Sequence, residues 1–225
     1  MCGLAGEVRA GELADVESVA RMGAAMTDRG PEGNGVWASG PLALSFRRLK
    51  IIDLSEQSSQ PMVDSELGLT ITFNGCIYND PEFREMLEKK KGYRVFSTSD
   101  TEVLLKAYHY WGENFVDRLK GMFAFCIAEH ATKRVILGRD RLGIKPLYIS
   151  ESEGVLRFAS ALPALLAGGG VDTSIDTVAL YHCLTRHSVV PAPYTILKGV
   201  RKLAPGTFPA PNQSSGTRHG IAEKS

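Results

Sequence analysis

The 225-residue chain has no apolar run approaching the ~20 residues that span a bilayer, and its N-terminus lacks the basic-then-apolar pattern of a secretory leader. No membrane association is expected, and the default location is cytoplasmic. An excess of either charge is also missing. Lys plus Arg number 26 against 25 Asp plus Glu, a formal net charge of +1, which leaves no electrostatic case for nucleic acid. Cysteine is scarce. Cys2, Cys76, Cys126 and Cys183 lie far apart, without a C-x-x-C pair or a Cys/His cluster; this argues against bound metal and fits a reducing compartment better than a disulfide scaffold. Three of the four read as core packing and Cys2 as the exception. None of the five histidines sits in a recognisable motif, so a thiol hydrolase built on a Cys–His pair has no support. Nor does any segment read as a phosphate-binding loop.

What is present is an ordinary globular composition, 44% hydrophobic and 8% aromatic, enough to bury a sizeable core. Val16, Val19, Gly23 and Met26 recur at near-helical spacing between Leu13 and Asp28, before Arg29-Gly30-Pro31 stops the pattern. In "NDPEFREMLEKKKG" Asp80 reads as an N-cap, Pro81 as the first helical residue and Gly92 as the end, with Phe83, Met86 and Leu87 as the apolar face. In "STSDTEVLLKAYHYWG" Ser99 and Glu102 form an S-x-x-E capping box ahead of Val103, Leu104, Ala107, Tyr108 and Trp111. "GLTITF" alternates as a strand does, while "MFAFCIAE" and "RVILGR" are apolar on both faces and separated by a short polar turn. Strands apolar on both faces must be covered twice, so two antiparallel sheets stacked on each other with helices outside are expected, an α+β architecture. After Gly206 the chain turns polar and Pro/Gly/Ser-rich, and 207–225 reads as a disordered or non-native tail.

Removal of Met1 would leave Cys2 with a thiol (reference pKa ~8.5) and a free α-amine (~7.7 to 8.0) on one residue, so the amine can take the thiol proton without a histidine. The competing reading is a small apolar residue that starts a strand. In "FNGCIYN", Asn74 and Gly75 offer a side-chain amide and a sterically free backbone N–H, the donor types that hold an oxyanion; Asn-Gly is equally a tight turn. The arginine pair of "SFRRLKIIDL" reads as the start of a strand, where one guanidinium can clamp a carboxylate; both can equally be surface residues. Asp100 can receive an ammonium group, or simply favour its helix start.

The segments "MCGLAG", "RGPEGNG", "RRLKIIDLSEQSSQPM", "FNGCIYN", "TSDTEVLLKAY", "GMFAFCI", "RDRLGIKPLY" and "VPAPYTILKGVRKLAPG" resemble, in this order, the class II glutamine amidotransferase domain of the asparagine synthetase family, over residues 1–206. The resemblance implies an N-terminal-nucleophile hydrolase fold, a four-layer αββα sandwich, and glutamine hydrolysis that supplies ammonia for an ATP-dependent amidation. It implies Cys2 as nucleophile, Asn74 and Gly75 as oxyanion hole, Arg48 as the contact of the glutamine carboxylate and Asp100 as that of its amino group. "PMVDSELGLTITFNGCIYN" looks most like the N-acetylglutaminylglutamine amidotransferases. The synthetase domain with its S-G-G-x-D-S loop is absent from the chain. ATP and Mg are therefore expected only with that domain, and none in this chain. The implied partners are glutamine, a synthetase domain or subunit, and a second copy as a homodimer. The alternative from a different class is a non-catalytic module that regulates a synthetase subunit, docking through "RDRLGIKPLY" and "VPAPYTIL".

Overall fold

The computed structural model describes residues 1–208. Ten strands run in chain order: β1 (Gly3–Arg9), β2 (Gly33–Ser39), β3 (Leu42–Arg48), β4 (Met62–Asp64), β5 (Leu69–Ile77), β6 (Gly121–Glu129), β7 (Val135–Arg139), β8 (Tyr148–Ser152), β9 (Val155–Ala159) and β10 (Arg201–Lys202). The α-helices are α1 (Val16–Ala24), α2 (Asp80–Glu85), α3 (Asp100–Trp111), α4 (Leu162–Gly168) and α5 (Thr177–Thr185). One sheet has the order β10-β8-β9-β1-β3-β2 and the other β4-β5-β6-β7, with antiparallel pairing throughout.

Alternation along the strands creates three apolar layers. On β6, Phe123, Phe125 and Ile127 face α3 and meet Val103, Leu104 and Tyr108. The small residues between them, Ala124, Cys126 and Ala128, face the other sheet, where Leu4, Leu44 and Phe46 fill the space they leave. On the far side of that sheet Ala5, Ala43 and Ala159 lie under Val19, Met22 and Leu165 of α1 and α4. Large side chains thus oppose small ones across each interface, as dense packing of layers requires. The helix α1 sits close because position 23 is glycine: a Cβ there would stand 2.1 Å from the Ser45 hydroxyl.

Local expectations hold with adjustments. α1 is shorter than the periodic stretch, is capped by Asp15 and leaves Val16 42% exposed. Asn79 is the N-cap residue of α2, and Asp80 is its first helical residue. Ser99 caps α3 by accepting the Thr101 N–H. Glu102, however, does not close the reciprocal box. Its carboxylate accepts from Phe96 N and, in buried bonds, from Ser97 N and the Ser97 hydroxyl, and it pairs with the buried Lys106. Burial opposes its ionised form, but the bonds from Lys106 and Ser97 outweigh that and hold the carboxyl below its usual range. Arg47 and Arg48 end β3 rather than starting a strand. Two of the three cysteines expected in the core lie elsewhere: Cys126 is fully buried, whereas Cys76 and Cys183 are half-buried. Thr207 and Phe208 still belong to the fold. The Thr207 carbonyl accepts the Arg139 N–H, and Phe208 packs on Phe115 and Phe125. The rest of the expected tail lies outside the described residues. No helix among the described residues is long and apolar enough to cross a membrane.

Lys106→Met keeps the apolar stem but strips the buried Glu102 of its counter-charge. A loss of about 3–5 kcal/mol, the usual consequence of breaking one side of a buried pair, is expected in urea unfolding. A loss below ~1 kcal/mol would mean that the backbone donors alone suffice.

Candidate functional site

A cavity of about 260 Å³ opens between the two sheets where β1, β3, β5 and the start of α3 converge, and Cys2, Arg48, Asn74, Gly75 and Asp100 all line it. All five residues singled out in the sequence are thus brought together. No histidine lines it.

The chemistry of this place begins with a strand edge. β4 is three residues long and pairs with β5 only at Leu69–Ile71. Along β5 the even-numbered N–H groups point to β6 and the odd-numbered ones to the opposite edge, a parity fixed at the strand's end by the Tyr78 N–H on Lys120 O. Past β4 that outer edge needs other acceptors. Gln60 takes the place of a strand at Phe73: its Oε1 accepts the Phe73 N–H at 2.6 Å, and its Nε2 donates to the Phe73 carbonyl at 3.2 Å. Asp100 Oδ2 accepts the Ile77 N–H at 3.0 Å. The Gly75 N–H lies between these two props and points to the same open edge. On the adjoining face Asn74 is 2% exposed and its Nδ2 is buried with no hydrogen-bond partner. Asn74-Gly75 is therefore not a turn but the middle of a strand, presenting two unengaged donors. Glycine is required here, because a Cβ at position 75 would lie 2.3 Å from Met122 O and 2.8 Å from Phe123 Cα.

Cys2 precedes β1. Its Sγ accepts the Leu49 N–H at 3.4 Å and faces the Leu49 carbonyl at 3.6 Å, while its own carbonyl accepts from Arg29 Nε at 3.2 Å. Met1 is 55% exposed and also lines the cavity. Arg48 is 7% exposed; its guanidinium donates to Ser55 O at 2.8 Å, to Asp53 O at 2.6 Å and to the Ser58 hydroxyl. It thus orders the loop after β3 with neutral acceptors and keeps its charge uncompensated by any ion pair among the described residues. Asp53 ties that loop to the α3 start by accepting from Ser55 N at 2.8 Å and Thr98 N at 2.9 Å. Burial works against its charge, but these bonds prevail and bring its carboxyl down to about 2. Asp100 is opposite in character. Burial pushes it up to about 6, the neighbouring Asp80 adds to this, and the Ile77 N–H pulls the other way.

The model of the glutamine amidotransferase domain family matches residues 1–219. The chain belongs to that family. Glutamine-hydrolyzing asparagine synthetase 1 of Bacillus subtilis (strain 168) is 37% identical over 211 residues, covering 92% of this chain and 33% of that protein. Glutamine-hydrolyzing asparagine synthetase 3 of the same strain is 31% identical over 209 residues, covering 91% and 34%. This amidotransferase domain therefore spans about a third of the length of the curated relatives it matches. Among solved structures, glutamine phosphoribosylpyrophosphate amidotransferase from B. subtilis, complexed with ADP and GMP, has a TM-score of 0.66 at 19% identity over 92% of this chain and 46% of that one. The likeness shows the fold: two antiparallel sheets between helices, the N-terminal-nucleophile hydrolase arrangement.

Among the cavity-wall residues that the sequence reading did not single out are Gln60, Cys76 and Lys145. A glutamine before a proline and a lysine in a basic motif look like surface residues, and no local signal marks them otherwise. Cys76 shares a face with Asn74 by strand alternation, a relation that was legible. Its thiol is pushed up by burial and by Asp100, with Lys145 pulling it down.

If the amino group of a bound glutamine pairs with Asp100, it selects the ionised carboxylate, and below pH ~6 the ligand must displace a proton to bind. With the Cys2→Ala protein, affinity for glutamine should weaken about tenfold per pH unit below ~6, measured by titration calorimetry. Asp100→Asn should be weak and flat across the same range. A wild-type-like pH profile in Asp100→Asn would remove Asp100 from ligand binding.

Proposed function

We propose that this domain hydrolyses glutamine at Cys2 and delivers ammonia to an ATP-dependent synthetase region of the kind that fills the remaining length of its relatives. The observation that carries the reading is the buried, unpartnered Asn74 Nδ2 beside the open-edge Gly75 N–H, in the same cavity as Cys2 Sγ. A buried donor without an acceptor is unfavourable in the resting protein. It is useful if an oxyanion forms there.

On this reading Met1 is removed and the Cys2 α-amine takes the thiol proton. The sulfur adds to the side-chain amide carbon, and the carbonyl electrons move to an oxygen held by Asn74 Nδ2 and Gly75 N–H. Collapse breaks the C–N bond, and the amine-borne proton leaves with ammonia, producing a γ-glutamyl thioester. Water, deprotonated by the same amine, then adds to the thioester and expels the Cys2 thiolate, giving glutamate. Arg48 holds the α-carboxylate and Asp100 the α-ammonium, leaving the amide end to face Cys2. Within the family, residues 61–79 look most like those of the N-acetylglutaminylglutamine amidotransferases. The regulatory-module alternative receives less support. Arg139, Asp140 and Lys145 of its docking motif are buried and Lys145 lines the cavity, although Leu142 and Ile144 stay exposed.

Intact mass should show Cys2 at the N-terminus. Cys2→Ala should abolish ammonia release without unfolding the domain, and Asn74→Ala should lower kcat by about 10²–10³, the ~2.7–4 kcal/mol of one lost oxyanion donor. Full activity in processed Cys2→Ala sinks the nucleophile assignment. A higher KM at unchanged kcat in Asn74→Ala would make Asn74 a binding residue.

Recognition of a free amino acid is tested separately. Arg48→Ala and Asp100→Ala should each raise KM for glutamine steeply, by the ~2–5 kcal/mol of a truncated buried charge contact. The wild type should reject glutamine α-carboxamide and N-acetylglutamine. Equal hydrolysis of all three compounds would show that neither end of the amino acid is read.

A further inference from the structure

The motif "RDRLGIKPLY" is folded around one side chain. Asp140, 1% exposed, accepts from Phe123 N at 3.1 Å, Ile144 N at 2.8 Å and Lys145 N at 3.0 Å. It thereby fastens the turn after β7 to β6 at Phe123, the residue directly opposite Gly75 in the ladder. Arg139, 8% exposed, closes the turn from the other side, donating to Lys145 O at 2.8 Å, to Gly143 O at 2.7 Å and to Leu203 O. Two buried charged residues are spent on backbone groups to fix the position of Lys145.

Lys145 is 7% exposed and lines the cavity. The other charges of that wall have hydrogen-bond partners: Arg48 has three oxygens, Asp53 two N–H groups and Asp100 the Ile77 N–H. The Lys145 ammonium has none among the described residues. An ammonium that opens into a half-enclosed cavity without a counter-charge attracts an anion into the same cavity. Through Asp140 the Lys145 turn is fastened to Phe123, opposite Gly75, so Lys145 stands on the β5–β6 side of the cavity while Arg48 stands on β3.

We propose that Lys145 is the counter-ion of the charge that appears during the reaction, the Cys2 thiolate and the oxyanion at Asn74-Gly75, and is not a contact of the incoming amino acid. The inference rests on the reading of Arg48 and Asp100 given above. With the ligand's two ends paired to those residues, Lys145 is the cation of the cavity lining that stays unpaired until negative charge develops at the amide end. Interactions made only then raise kcat and leave KM alone.

The test compares processed wild type with Lys145→Met and Lys145→Arg, at matched melting temperatures. Glutaminase kinetics are one readout. The other is the rate of Cys2 alkylation by iodoacetamide from about pH 6 to about pH 9, bracketing the ~8.5 of a free thiol, followed on the Cys2 peptide so that Cys76 does not contribute. Arg29, which bonds the Cys2 carbonyl, and Arg48, Asp53, Asp100 and Cys76, which line the same cavity, are the same in all three proteins, as is the Cys2 amine. Lys145→Met should lower kcat about 100-fold with KM within about twofold, and move the Cys2 alkylation midpoint up by about one pH unit. Lys145→Arg should restore most of both. A raised KM at unchanged kcat overturns the proposal in favour of a carboxylate contact. An unmoved midpoint overturns it in favour of a structural lysine. If the wild type hydrolyses no glutamine, the parent reading fails, and the Cys2 midpoint still decides the role of Lys145.

Discussion

The site depends on β4 ending early. Strands in a sheet satisfy their backbone groups on both edges, and an N–H left unmade in a buried place is costly. Because β4 covers only Leu69–Ile71, the outer edge of β5 is completed by parts: the Gln60 amide at Phe73 and the Asp100 carboxylate at Ile77. Between them the Gly75 N–H is left available. A full-length β4 would consume that donor and fill the cavity with its own side chains.

The loops around this edge are held by charge spent on backbone. Arg48 organises residues 53–58, Asp53 joins that loop to residue 98, and Arg139 with Asp140 sets the turn that carries Lys145. Each is a charge-assisted bond to a neutral group, stronger than an ordinary hydrogen bond and less demanding than a buried ion pair. The cavity's wall is therefore stiff while its charged side chains stay out of ion pairs with one another, a condition that fits the zwitterion and developing anion of the proposed reading.

On the proposed reading, Asp100 serves the fold and a ligand together. As the first residue of α3 it is placed favourably for the helix dipole. Its burial nevertheless holds the carboxyl at about 6, so an arriving ammonium relieves an existing strain instead of adding one. The deeper support comes from Glu102 and Lys106, which anchor residues 96 and 97 to the same helix and so fix where Asp100 points.

The sequence alone determined what depends on neighbours along the chain: the alternation of Phe123, Phe125 and Ile127 with Ala124, Cys126 and Ala128, the Ser99 cap, the stripe of α3, and the two-sheet layering that doubly apolar strands demand. It also singled out Cys2, Asn74, Gly75, Arg48 and Asp100 by residue type, while leaving each with a bland alternative. Tertiary structure decided between those alternatives wherever contacts cross long separations. It made Asn74-Gly75 a strand and not a turn, because β6 pairs through both residues. It sent Glu102 to Ser97 and Lys106 in place of the cap, and turned Lys145 and Cys76 from surface and core into cavity wall. The physical reason is the same in each case. Periodicity and capping are local energies written in spacing, whereas the partner of a buried polar group is set by which strand edge lacks a neighbour, and that emerges only when the sheets have closed.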